Sequence, residues 1–234
     1  MEVASGDAEH SPAVRRVPTA SRRLLLVAAN DPWHATVALG DLVEEWLRLL
    51  PNVQVTRGTR TDLHLERLQE YDVLLALLRL GPEATTEEER ALTGFVARGG
   101  GLLGVHNSTI FPEERQSLHD LWGARFARHP PYQPFTVRIV DRDHSITHDI
   151  NDFQISDELY VLDRRPLDAH VLAVADHEGQ PQPMAYTKPY GRGAIFYCAL
   201  GHDLASWDHP AFRQLMVGGV GWLVNQAILK GPKA

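Results

Sequence analysis

Gly99-Gly100-Gly101-Leu102-Leu103-Gly104-Val105-His106 is the stretch on which the fold turns. The glycines stop a helix whose start is marked by Thr86-Glu87-Glu88-Glu89, a capping box with acids in the first turn, where the helix dipole favours them. Leu92, Phe95 and Val96 carry that helix at the proper spacing up to the stop. Residues 102–105 are then a short apolar run, as expected for a strand covered on both faces. Because the glycines precede the strand, they form no phosphate-binding fingerprint, and no nucleotide or flavin cofactor is expected.

The same rhythm extends towards the N-terminus. Residues 24–29, 52–56 and 71–78 read as strands, and Leu39, Leu42, Val43, Trp46, Leu47 and Leu50 form a helical stripe stopped by Pro51. Strand–helix–strand alternation predicts an α/β fold with a mainly parallel central sheet and helices on both faces. Beyond Phe111 the reading gives a short helix over 113–122, a strand over 135–140, a polar irregular stretch over 141–157, and strands over 171–175, 183–187 and 194–200. A last helix starts near Asp208, an N-cap with Pro210 behind it, and presents Phe212, Leu215, Met216, Gly219, Trp222 and Leu223 to the core. Residues 22–234 read as one domain and residues 1–21 as a disordered tail.

Composition bounds the function. Of the 234 residues, 44% are hydrophobic and 23% charged, which is ordinary for a soluble globular chain. No apolar run approaches a membrane span, and a formal charge of −7 argues against a nucleic-acid-binding face. Arg22-Arg23 followed by apolar residues only to Ala29 is too short for an export signal, so a reducing, cytoplasmic setting is expected. The single cysteine, Cys198, excludes an intrachain disulfide or a cysteine-based metal site. It lies in an apolar strand and reads as inert core, which removes cysteine-dependent amidotransfer.

The 12 histidines carry most of the remaining information. His34, His106 and His202 each follow a predicted strand, and ligands of open parallel sheets bind at the carboxyl ends of strands. In the turn Gly104-Val105-His106-Asn107-Ser108, His106 takes the place that a nucleophile holds on a sharp strand-to-helix elbow. Imidazole there can act as base, acid or metal ligand, whereas Ser108 has the wrong spacing for a nucleophile. Asp157-Glu158-Leu159-Tyr160 places adjacent carboxylates at the start of an expected strand. Asp203 reads as an N-cap or as a partner of another side chain; Asp143-His144 and His148-Asp149 read as turns. His10, His64, His119, His170, His177 and His209 read as surface. Trp33, Tyr132, Tyr160 and Trp207 could stack on a sugar ring or simply pack.

The stretch Gly99–His106 is similar to the GGG-x-x-G-x-H signature of the trehalose-utilisation (ThuA-like) family. Gly123-Ala124-Arg125-Phe126-Ala127-Arg128-His129-Pro130, Asp143-His144-Ser145-Ile146-Thr147, Asp157-Glu158-Leu159-Tyr160, Tyr190-Gly191-Arg192-Gly193 and Leu200-Gly201-His202-Asp203 follow in the family's order. The likeness spans about residues 22–222. It departs at His144-Ser145, where the family has His-Pro, and in the first loop, which matches only through His34.

The resemblance implies a flavodoxin-like three-layer sandwich of the class I glutamine amidotransferase-like type, without its catalytic cysteine. It also implies a site that involves His34, His106, His129, Glu158 and His202, and a role in carbohydrate metabolism. The expected function is acid–base processing of an oxidised 3-keto-sugar from trehalose or a related disaccharide, by a lyase or hydrolase. His106, Glu158 and His202 are the expected catalytic residues, with His34, His129, Tyr160, Asp203 and Asn107 on the substrate. His34, His106 and His202 are the expected ligands of a divalent metal, zinc or similar. The competing expectation is a non-catalytic sugar-binding or scaffolding protein on the same fold. A small-molecule sugar is the expected partner, and the last helix could support a homo-oligomer.

Overall fold

A computed structural model describes residues 21–229. The tail expected over 1–21 therefore lies, apart from Ser21, outside the described residues. The core is a sheet whose first half comprises β1 (Arg22–Ala28), β2 (Val53–Gly58), β3 (Val73–Leu77), β4 (Gly101–Val105) and β11 (Gly193–Cys198). These run parallel in the order β2-β1-β3-β4-β11. The apolar runs predicted strands buried on both faces, and β3, β4 and β11 are buried along their whole length.

The second half departs from the parallel expectation. From β11 the sheet continues antiparallel through β10 (Gln180–Tyr190), β9 (His170–His177), β6 (Gln133–Ile139) and β7 (Phe153–Asp157). Residues 153–157, expected to be irregular, thus form the edge strand of the sheet. A separate two-stranded ribbon pairs β5 (Phe126–Arg128) with β8 (Val161–Leu162).

Helices cover both faces of the parallel half. A methyl group on Gly101 would meet Leu223 of α6 (Pro210–Leu229), whereas one on Gly104 would strike Trp122 of α4 (Gln116–Trp122). Gly101 and Gly104 lie an odd number of residues apart and so face opposite sides of the sheet. In the same way, Phe196 lies under Gly219 of α6, and Tyr197 meets the Trp122 ring at 5.9 Å. On the α6 side, Trp46 of α1 (Thr36–Leu47) stacks on Trp207 of α5 (Leu204–Trp207), which meets Phe212 edge-on. On the other side, Glu89 of α3 (Thr86–Ala97) takes Arg115 at 2.6 Å and the Ser117 hydroxyl of α4. The short α2 (Leu65–Leu68) packs beside α3. Among the described residues no helix is long and apolar enough to cross a membrane.

Two helix starts differ from expectation by a residue or two. Thr85, not Thr86, caps α3: its hydroxyl accepts from Glu88 N–H while the Glu88 carboxylate accepts from Thr85 N–H. Asp208 closes α5, and the α6 start is satisfied by His209, whose Nδ1 accepts from Ala211 N–H.

Candidate active site

Residues from distant parts of the chain meet at one rim because of strand direction. His34 lies in the loop after β1, His106 directly after β4, and His202 just after β11, all at carboxyl ends of parallel strands. Glu158 comes from the far edge of the sheet. Four antiparallel steps from β11 restore the original direction in β7, so Glu158 leaves the sheet on the same rim. It therefore follows the end of a strand and does not open one, as the sequence had suggested.

The elbow after β4 is sharp. His106 has φ of +46°, in the left-handed region that side chains other than glycine seldom adopt, and a 3-10 turn over residues 106–109 follows. That backbone turns the imidazole into the site. Ser108 is pulled the other way: its hydroxyl donates to the carbonyls of Ala76 and Val105 and accepts from Val105 N–H, so it is not available as a nucleophile.

Two of the three imidazoles are held from behind. His106 Nδ1 lies 2.8 Å from the Ala199 carbonyl, which only accepts, so Nδ1 carries the proton and Nε2 faces the site. His34 Nδ1 lies 2.9 Å from both oxygens of Asp31, which likewise turns its Nε2 inward. Asp31 is itself fixed by Trp33 N–H, His34 N–H and the Asn107 amide. The ring centroids of His34, His106 and His202 form a near-equilateral triangle of 5.0, 5.1 and 5.4 Å. His106 Nε2 and His202 Nδ1 each stand 3.3 Å from Glu158 Oε2. Even so, these two atoms and His34 Nε2 are buried without an aligned hydrogen-bond partner. One ligand atom from each of the four residues lies within 4.8 Å of the others.

The electrostatics follow from this crowding. Burial alone would raise the Glu158 pKa, but His106 and His202 outweigh it and hold the carboxyl well below the usual range. Glu158 in return raises His202 against the effect of burial. Burial, then the neighbouring His106, lower His34 despite Asp31. His34 is thus a neutral imidazole at pH 7, with its Nε2 lone pair free.

In front of the cluster is a cavity of about 250 Å³ lined by Trp33, His34, Arg79, Ile110, Phe126, His129, Glu158 and Tyr160. This lies just under the range of about 300–1,000 Å³ typical of drug-sized ligands, so the space suits a small molecule. His129 Nε2 is 3.5 Å from Glu158 Oε1, and its Nδ1 is 2.8 Å from the Pro130 carbonyl. The Tyr160 ring lies 4.0 Å from His106 and 4.3 Å from Phe126, and burial drives its hydroxyl pKa far up.

The other expected residues fall into distinct places. Asn107 is buried and reaches the cluster through Asp31. Asp203 caps α5 by accepting from Ser206 N–H. Trp207 is 1% exposed, with its indole N–H on the Gly201 carbonyl, and cannot stack on a ligand. Cys198 is fully buried, with its thiol pushed up to about 12, and is inert. His119, expected on the surface, is buried beside Phe111 and Asp163. Sequence reasoning missed Asp31 and Arg79, and it noted Asp157 only as a carboxylate beside Glu158. Asp157 is completely buried and accepts from Glu158 N–H, Gly201 N–H, His202 N–H and the Ser206 hydroxyl, tying the loops of Glu158 and His202 together.

Residues 23–223 match the family model ThuA, described as trehalose utilisation. No curated protein matches the chain in sequence. Among solved structures, a ThuA-like protein of Bacteroides uniformis superposes with a TM-score of 0.73 at 19% identity, over 91% of this chain and 96% of that one. One from Parabacteroides merdae gives 0.73 at 17% identity, over 87% and 90%. A β-galactosidase of Bacillus circulans gives 0.61 at 14% identity, over 88% of this chain and 31% of that one. At these identities the structures share the fold.

Proposed function

Because the chain belongs to the ThuA (trehalose utilisation) family, we propose that it processes an oxidised 3-keto-sugar derived from trehalose or a related disaccharide, by acid–base chemistry assisted by a divalent metal. The family's flavodoxin-like, amidotransferase-like layering is part of this reading, with His106 in place of the nucleophile. The observation that carries it is the set of three buried imidazole nitrogens without aligned partners, which converge with a Glu158 oxygen so that one ligand atom from each lies within 4.8 Å of the others. Unpartnered polar atoms in a core are costly unless a ligand completes them.

The donor set fits a metal. His34 Nε2, His106 Nε2, His202 Nδ1 and a Glu158 oxygen would hold a zinc or similar ion, and Asp31 and the Ala199 carbonyl are the outer partners such histidines use. Bound there, the ion supplies Lewis-acid polarisation of the substrate ketone. The protein's own residues do the rest. A ketone at C3 acidifies the C2–H bond next to the glycosidic carbon. His129 lines the cavity and carries its lone pair on Nε2, because Nδ1 donates to Pro130; Nε2 takes that proton, and Glu158 Oε1 at 3.5 Å favours the imidazolium that results. The C1–O bond breaks, its electron pair leaves with the departing sugar oxygen, and a C1=C2 bond forms in conjugation with the ketone. His129 then returns the proton to the departing oxygen. Addition of water to the double bond would make the overall reaction a hydrolysis. Glu158, held anionic, keeps His106 and His202 oriented.

Elemental analysis of purified, tag-free protein is expected to find near-stoichiometric divalent metal, and turnover of 3-keto-trehalose is expected to stop on chelation and return on reloading. Absence of metal after replenishment would remove the metal from this reading. Binding of the sugar without conversion would favour the sugar-binding alternative.

Asp31→Asn is expected to weaken metal binding by about 10–100-fold, because it replaces one acceptor behind His34 with a donor. Competition with a chromogenic chelator measures this, and an unchanged affinity would deny Asp31 the role.

A further inference from the structure

From the Trp33–Arg79 pair at the mouth of the cavity we infer a second sugar subsite, which selects a disaccharide over a single ring. The inference deepens the function proposed above and rests on it for the identity of the ligand. Trp33 is 65% exposed, whereas Trp46, Trp122 and Trp207 are buried and Trp222 is half-buried. An indole left in water is costly, and this one lines the cavity that holds His34, His129 and Glu158.

The indole is also held in place. Its backbone N–H donates to Asp31 Oδ1 at 2.9 Å, within the short turn that orients His34. The Arg79 guanidinium lies 5.0 Å from its ring centroid and is anchored to Glu83 at 3.2 Å. A cation over one face of an indole fixes the ring and leaves the other face for a ligand. The polarised C–H bonds of a pyranose suit that face, because an aromatic ring presents a negative surface to them. With about 250 Å³ inside, one ring fills the cavity beside the cluster, and the ring attached to it emerges at the mouth, where Trp33 stands. Trp33 thereby grips the departing sugar, and Arg79 acts through Trp33 as a positioning residue.

The test compares 3-keto-trehalose with methyl 3-keto-α-D-glucopyranoside in wild type and Trp33→Ala, with tryptophan fluorescence under added trehalose as a separate readout. The ratio of kcat/KM, disaccharide over methyl glycoside, is expected to fall about tenfold in Trp33→Ala, the scale of one lost stacking contact. Trehalose is expected to shift tryptophan emission to the blue in wild type and not in Trp33→Ala. An unchanged ratio, or no emission shift in wild type, overturns the subsite while leaving turnover intact. Failure to turn over either keto-sugar, with the trehalose shift still present, overturns the proposed chemistry and leaves the subsite standing.

Discussion

His106→Ala is expected to lower turnover of a 3-keto-glycoside by about 10²–10⁴-fold, the usual scale for losing one positioned acid–base or ligand group. The argument is geometric. His106 is the apex at which the elbow after β4, the Ala199 carbonyl and Glu158 meet, and its Nε2 is one of the three inward-facing nitrogens. Its removal leaves His202 and Glu158 facing an open space and lowers the metal content with the activity. The fold should survive, because the Tyr197 hydroxyl donates to the backbone carbonyl of residue 106, which the substitution keeps. Unchanged turnover, with thermal unfolding also unchanged, would sink the mechanism.

Asp157→Ala is expected to cost about 3–5 kcal/mol in urea unfolding, the largest stability loss anticipated for a polar residue here. The carboxylate is completely buried, and its oxygens accept from Gly201 N–H at 2.7 Å, Glu158 N–H at 2.7 Å, the Ser206 hydroxyl at 2.8 Å and His202 N–H at 3.3 Å. Truncation leaves these donors with no acceptor from Asp157. It also frees the loops that carry Glu158 and His202, so activity falls with stability. Asp157→Asn keeps the shape and is expected to lose less, since only one acceptor becomes a donor. A loss below 1 kcal/mol for the alanine variant would show that the loops are held by other contacts.

The inner strands of the parallel half were legible because β3, β4 and β11 are nearly unbroken apolar runs, as a strand buried on both faces requires. The antiparallel half was read only in fragments. In β7, Phe153–Asp157 alternates between faces as an edge strand should, but the inward position at its end is the polar Asp157, which hides the pattern. The hairpin between β9 and β10 turns on Glu178 and Gly179, both with positive φ, and it carries the two strands further than their apolar centres suggested.

The candidate site was legible where chemistry followed a strand directly. His34, His106 and His202 could be placed on one rim from position alone. Glu158 came from the resemblance, with the wrong position relative to its strand. Asp31 and Arg79 were missed because both act through neighbours: one orients His34, and the other lies on Trp33. Such partnership is a property of the folded chain and leaves no spacing to read.

The left-handed backbone of His106 places heat resistance and chemistry in opposition at a single position. Glycine would adopt that φ without strain and would remove one of three crowded imidazoles, whereas the site depends on the imidazole being there. A laboratory selection that scored this protein only on surviving heat would favour loss of His106. A variant library for this fold therefore has to be sorted on sugar conversion first and on melting temperature second.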